Sequence, residues 1–191
     1  EALCSSAKKF GAALDPEKGR DICAVDWHIE YGEMGSSLKE MRARYTTADG
    51  KRLEMRPYIV SASEAVRKKE PLRWYGNFKQ LITKLVSEDI AYARNKIKGL
   101  RTALKQGEVS ARNFLNFYGI EDILLDSYYD IFKEMDHSRI GTGFQMERPV
   151  FVNTSDGLQR SFLFDAVEMM DTYIGLEVEC DGITDKNEAA V

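Results

Sequence analysis

The sequence predicts a mainly α protein: a helical core that carries one β-hairpin, with extended segments at its ends. From residue 60 to 135 apolar residues recur at helical spacing, most clearly in the stripe Phe78, Leu81, Ile82, Leu85, Val86 and Ile90. Asp49-Gly50 lies between Met41, Ala43 and Tyr45 on one side and Leu53 and Met55 on the other, both sets at period two, which is the pattern of two strands joined by a tight turn. Of the 191 residues 43% are hydrophobic, enough to bury a core, whereas residues 181–191 are polar and aperiodic, as in a loose tail.

Taken in order, Leu3, Ala7, Phe10 and Leu14 place a first helix over residues 2–14. Asp15-Pro16 supplies a capping carboxylate and a first-turn proline, so a second helix is expected toward Tyr31, although Val25, Trp27, Ile29 and Tyr31 also alternate. Gly32, Gly35, Ser36 and Ser37 mark a loop. The hairpin follows near residues 41–56 and ends at Pro57. Ser61 or Ser63 opens a short polar helix through Lys69, which Pro71 stops. A long helix then runs from about Leu72 to Asn95. Gly99 and Gly107 are expected to punctuate the next turns, with Ser110 capping the helix of Phe114, Phe117 and Tyr118, and Asp122–Met135 forming a further amphipathic helix. Beyond Gly141 and Gly143, Val150–Val152 and Phe162–Phe164 flank the hairpin-like turn Ser155-Asp156-Gly157. The chain is accordingly divided into a helical core over 1–140 and a C-terminal extension over 141–191.

Catalytic signatures are sparse. His28 and His137 stand in no metal-binding or nucleophile–base pattern, and Gly141-Thr142-Gly143 lacks the lysine of a phosphate loop. Cys4, Cys23 and Cys180 have no metal-ligand spacing, and an odd cysteine count fits a reducing compartment. No catalysis, cofactor or metal is therefore expected. No apolar run is long enough to span a membrane, and no signal peptide opens the chain; Glu1 in place of Met points to a trimmed or processed start.

Charge is better organised. The net charge is -4, yet residues 38–112 hold 18 lysines and arginines against 8 acids, an excess of ten. An acidic total with a basic middle is what a nucleic-acid binder shows when its other faces meet neighbours or solvent. Trp74 and Tyr75 beside Arg73 offer a stacking plane next to a guanidinium, although a large aromatic is more often core.

These features, read in order, resemble the core of coat proteins from flexuous filamentous plant viruses, in particular the potyvirus family. The shared fragments are Trp27-His28-Ile29-Glu30-Tyr31-Gly32 followed by Ser36-Ser37, then Asp49-Gly50, Pro57, Ile59-Val60 and Pro71-Leu72-Arg73. Tyr92, Arg94-Asn95, Gly99-Leu100, Leu104, Ala111-Arg112 and Leu115-Asn116-Phe117-Tyr118 complete the series. The resemblance covers roughly residues 14 to 118.

The resemblance implies a capsid subunit of a positive-strand RNA virus, residing in the virion and the host cytoplasm. Such a subunit polymerises with copies of itself around single-stranded RNA and binds it without reading sequence. The family's RNA pocket of serine, arginine and aspartate maps onto Ser36 or Ser37, Arg73 and Asn116, with Arg112 adjoining. Asn116 replaces the aspartate, keeping hydrogen bonding but losing charge. In these filaments the C-terminal segment runs toward the lumen, which is the course expected for Phe162-Leu163-Phe164. Two alternatives remain open: a nucleoprotein of another filamentous virus group, and a cellular α+β protein-interaction module without RNA.

Overall fold

The computed structural model describes residues 1–29, 37–86, 94–121 and 149–173. Among these, helices predominate and two small sheets accompany them, a mixed architecture in which the second sheet forms at the hairpin-like turn expected over Ser155-Asp156-Gly157.

Helix α1 (Ala2–Leu14) matches the expected stripe and buries Gly11 and Leu14. The second helix expected at Asp15 does not form. Asp15 Oδ1 accepts from the Glu17 and Lys18 amides and closes a turn, followed by a 3₁₀ turn over Gly19–Asp21. Gly19 packs so closely on α1 that an added Cβ would stand 2.6 Å from Ala12 Cα. The alternation that competed with the helix then prevails in β1 (Cys23–Val25). It pairs antiparallel with β2 (Tyr58–Ser61), Ala24 opposite Ile59 and Val25 opposite Tyr58, with an irregularity between Cys23 and Ala24.

The first arm of the expected hairpin is half helix. Ser37 and Glu40 cap each other reciprocally and start α2 (Leu38–Ala43), so Met41 and Ala43 are helical. Only the tip survives as a hairpin: Leu53 N–H donates to the Tyr45 carbonyl, Thr47 and Lys51 bond across, and Gly50 turns at φ 83°. This tip lies along a second hairpin formed by β3 (Phe151–Asn153) and β4 (Gln159–Ser161), through Arg52 N–H to Gln159 O and Ser161 N–H to Arg52 O.

Ser63 caps α3 (Glu64–Lys69), as expected. The long helix begins later than predicted, because Pro71–Arg73 form a 3₁₀ turn and Trp74 bridges to Ile59 before α4 (Tyr75–Val86). Its stripe buries Phe78, Leu81, Ile82 and Leu85; Ile90 lies outside the described residues. Next come α5 (Arg94–Gln106) and α6 (Glu108–Tyr118). Gly99 does not punctuate: it sits inside α5 with a Cβ position 2.8 Å from the Phe114 ring, so its missing side chain lets the two helices approach. The break is at Gly107, φ 112°, and Ser110 lies within α6, donating its hydroxyl to Gln106. The helix expected over Asp122–Met135 lies outside the described residues.

Phe162, Leu163 and Phe164 do not run outward. With Val150, Phe151 and Val152 they are buried in the main core, where α7 (Phe164–Met169) packs on α4 and α5. Apolar burial drives this choice: three large side chains in sequence are stable only where neighbours cover them. At the core's edge Trp27 stacks on Tyr58, ring centres 5.3 Å apart, and closes against Phe78 at 5.2 Å.

Candidate nucleic-acid interface

The residues expected to form one pocket occupy separate settings. Ser36 lies outside the described residues. Ser37 is exposed at the start of α2, its hydroxyl engaged with Glu40. Arg112 and Asn116 share one face of α6: Arg112 is ion-paired with Glu108 at 3.6 Å and Glu121 at 3.5 Å, and Asn116 is exposed.

Arg73 is buried. The 3₁₀ turn after Pro71 points it inward, held by its amide to Glu70 O and by Asn77 Nδ2 donating to Pro71 O at 2.8 Å. Its guanidinium lies 4.6 Å from the Phe10 ring centre and donates to Asp156 Oδ2 at 3.4 Å. Arg160 donates to the same oxygen at 2.8 Å and to Glu54 O at 2.9 Å. Glu70, also buried, accepts from the Ser155 amide at 2.6 Å and fastens the turn to this cluster. Burial, reinforced by the nearby Arg160 charge, lowers the Arg73 pKa, against the pull of Glu70 and Asp156. For Asp156 burial acts upward, but hydrogen bonds from Arg160 and Thr154 and the two guanidinium charges outweigh it and bring the carboxyl to about 2. Asp156 and Arg160 escaped sequence reading because nothing in Ser155-Asp156-Gly157 beyond a turn signal announces a tertiary partner.

A second charged group is interior. Arg56 and Asp165 have fully buried side chains 3.6 Å apart, and Arg56 reaches Glu168 at 2.9 Å. Asp165 Oδ2 accepts from the Met55 and Arg56 amides and from the Tyr58 hydroxyl, tying α7 to the strand-like run before β2. Tyr45 donates to Glu168 at 2.8 Å; burial, then that carboxylate's charge, raises the phenol's pKa. Burial lowers the Arg56 pKa, but Asp165 and Glu168 more than reverse this.

The exposed cations lie elsewhere. Arg67, Lys68 and Lys69 are exposed on α3, and the Arg67 guanidinium sits 5.0 Å above the half-buried Trp74 ring. Trp74 packs with Leu14, Ile59 and Val66 on its inner side. The stacking plane expected beside Arg73 is met by Arg67, whereas the Arg73 guanidinium lies over Phe10.

His28 contacts the Tyr45 ring edge-on at 6.0 Å, and His137 lies outside the described residues. Cys4 and Cys23 are exposed free thiols; Cys180 is outside the described residues. Among the described residues no cluster of histidine, cysteine and carboxylate groups is suited to a metal, and no helix is long and apolar enough to cross a membrane.

No family model and no curated protein matches the chain.

Proposed function

We propose that this chain is a coat subunit of a filamentous RNA virus, which self-assembles helically and covers single-stranded RNA through backbone contacts. The observation that carries the reading is the basic middle of an acidic chain, 18 cations against 8 acids over residues 38–112, with Arg67–Lys69 and the Trp74 ring on its exposed side. Lysines neutralise phosphate, and the guanidinium–indole pair offers a sequence-tolerant surface for a base. The ordered motifs from Trp27 to Tyr118 support the same reading, and assembly would convert weak single contacts into avidity along the strand. Contacts of this kind serve a coat that must accept any sequence in the virion and in the host cytoplasm. The test is purification of the full chain followed by electron microscopy and ultraviolet absorbance. Filaments with a ribonuclease-sensitive excess of absorbance at 260 nm are the expected result; particles that lack RNA throughout, or no assembly at all, overturn it.

One observation favours a second reading. Arg56 and Arg73 are spent inside the fold on carboxylates, as in an α+β protein-interaction module that holds no RNA. A monomeric sedimentation profile with a clean protein spectrum would favour that module.

A further inference from the structure

Resting on the RNA-binding reading, we infer that Arg73 and Arg160 form a seat for one backbone phosphate, and that the Asp156 carboxylate occupies this seat in the free subunit. Arg73 is 2% exposed, and its hydrogen-bond acceptor is Asp156 Oδ2. Arg160 brings two further N–H groups to that oxygen, Nη2 at 2.8 Å and Nε at 3.3 Å. Two guanidiniums converging on one anionic oxygen is the arrangement that holds a phosphoryl oxygen.

The carboxylate fills the seat incompletely. Arg73 Nε is buried and has no acceptor, a donor that an additional phosphate oxygen would satisfy. Access follows from the turn. Ser155, Asp156 and Gly157 are exposed and the Asp156 side chain is 37% exposed, so the path to Arg73 opens on solvent once the carboxylate withdraws. With Asp156 withdrawn, Arg73 feels the Arg160 guanidinium and the buried Glu70 carboxylate, and the two guanidiniums exceed Glu70 by one positive charge. Withdrawal is opposed by the Thr154 hydroxyl and the Leu158 amide, both donating to Asp156 Oδ1. Phosphate therefore competes for the seat instead of entering a vacant one, and a lone subunit binds weakly.

A free phosphate and an RNA backbone present the same chemistry, so the experiment uses both probes. Binding of a fluorescent oligouridylate is measured for the unmodified chain, Asp156→Ala, Asp156→Ala with Arg160→Gln, and Arg160→Gln alone, with pyrophosphate as competitor and circular dichroism as the check on folding. Asp156→Ala should bind oligouridylate about tenfold tighter, with a salt slope steeper by about 0.7. Arg160→Gln should cancel that gain, and alone should bind oligouridylate more weakly than the unmodified chain does. Competition by pyrophosphate as effective as that by unlabelled oligouridylate would assign the seat to free phosphate and overturn the RNA ligand. Equal oligouridylate affinity of the unmodified chain and Asp156→Ala overturns the seat but leaves the RNA reading standing. No binding by any variant overturns both. Should Asp156→Ala fail to fold, Asp156→Asn keeps a turn-forming side chain without the charge and carries the same expectation.

Discussion

At the scale of single residues, the buried charges set the clearest expectations. Asp165 accepts three hydrogen bonds and faces Arg56 with both side chains out of water. Asp165→Ala leaves the Met55 and Arg56 amides and the Tyr58 hydroxyl without their acceptor and removes one of the two carboxylates that face the Arg56 guanidinium. It should destabilise the fold by about 3–5 kcal/mol, read from urea midpoints. Asp156 predicts a pH effect of definite sign. Its carboxyl falls from the ordinary 3.8 to about 2, so its contribution is full above about pH 4 and is lost as the pH falls through about 2. Asp156→Asn should lose less stability over that window in acid titrations followed by circular dichroism; an unchanged acid profile would refute the assignment. The sequence made the turn at Asp156 visible through its Asp-Gly step, but not the carboxylate's destination. Arg73 stood out as a guanidinium beside aromatics, and that local pattern carried no sign that its partner lies 83 positions away.

At the scale of elements, agreement is best where periodicity is long and worst where two local signals compete. The stripe of α4 was legible because Phe78, Leu81, Ile82 and Leu85 repeat over about two turns and all are buried. Residues 15–25 were misread because Asp15-Pro16 is a good helix start, while strand pairing with Tyr58–Ser61 is not encoded locally. Alternation beside the Asp49-Gly50 turn points to a strand at Met41 and Ala43, whereas Ser37 and Glu40, three apart, are the stronger signal there. The junction between α5 and α6 gives a prediction at this scale. Gly107 holds φ 112° and ψ -178°, a region in which a Cβ is strained. Gly107→Ala should lower stability by about 1–3 kcal/mol, measured as a shift of the denaturation midpoint with an unchanged slope.

At the scale of the whole molecule, the basic excess read from the sequence is partly neutralised by acids from outside that stretch. Arg42 pairs with Asp26, Arg56 with Asp165, Arg73 with Asp156 and Lys98 with Asp171. Charge counts along a chain do not register such pairings. The end of α6 presents Phe117, 81% exposed, beside Tyr118. If this end meets a neighbouring subunit, Phe117→Ser should leave monomer melting unchanged and shift sedimentation toward smaller species. Finally, Met55 and Arg56 hand their amides to a carboxylate more than a hundred positions downstream, and the aromatic run at 162–164 completes the core. A chain emerging from the ribosome therefore cannot close this interior until residues 162–170 have been synthesised. Nascent copies would expose apolar surface until that segment emerges, and prematurely terminated products ending before residue 150 should be cleared by proteases instead of accumulating.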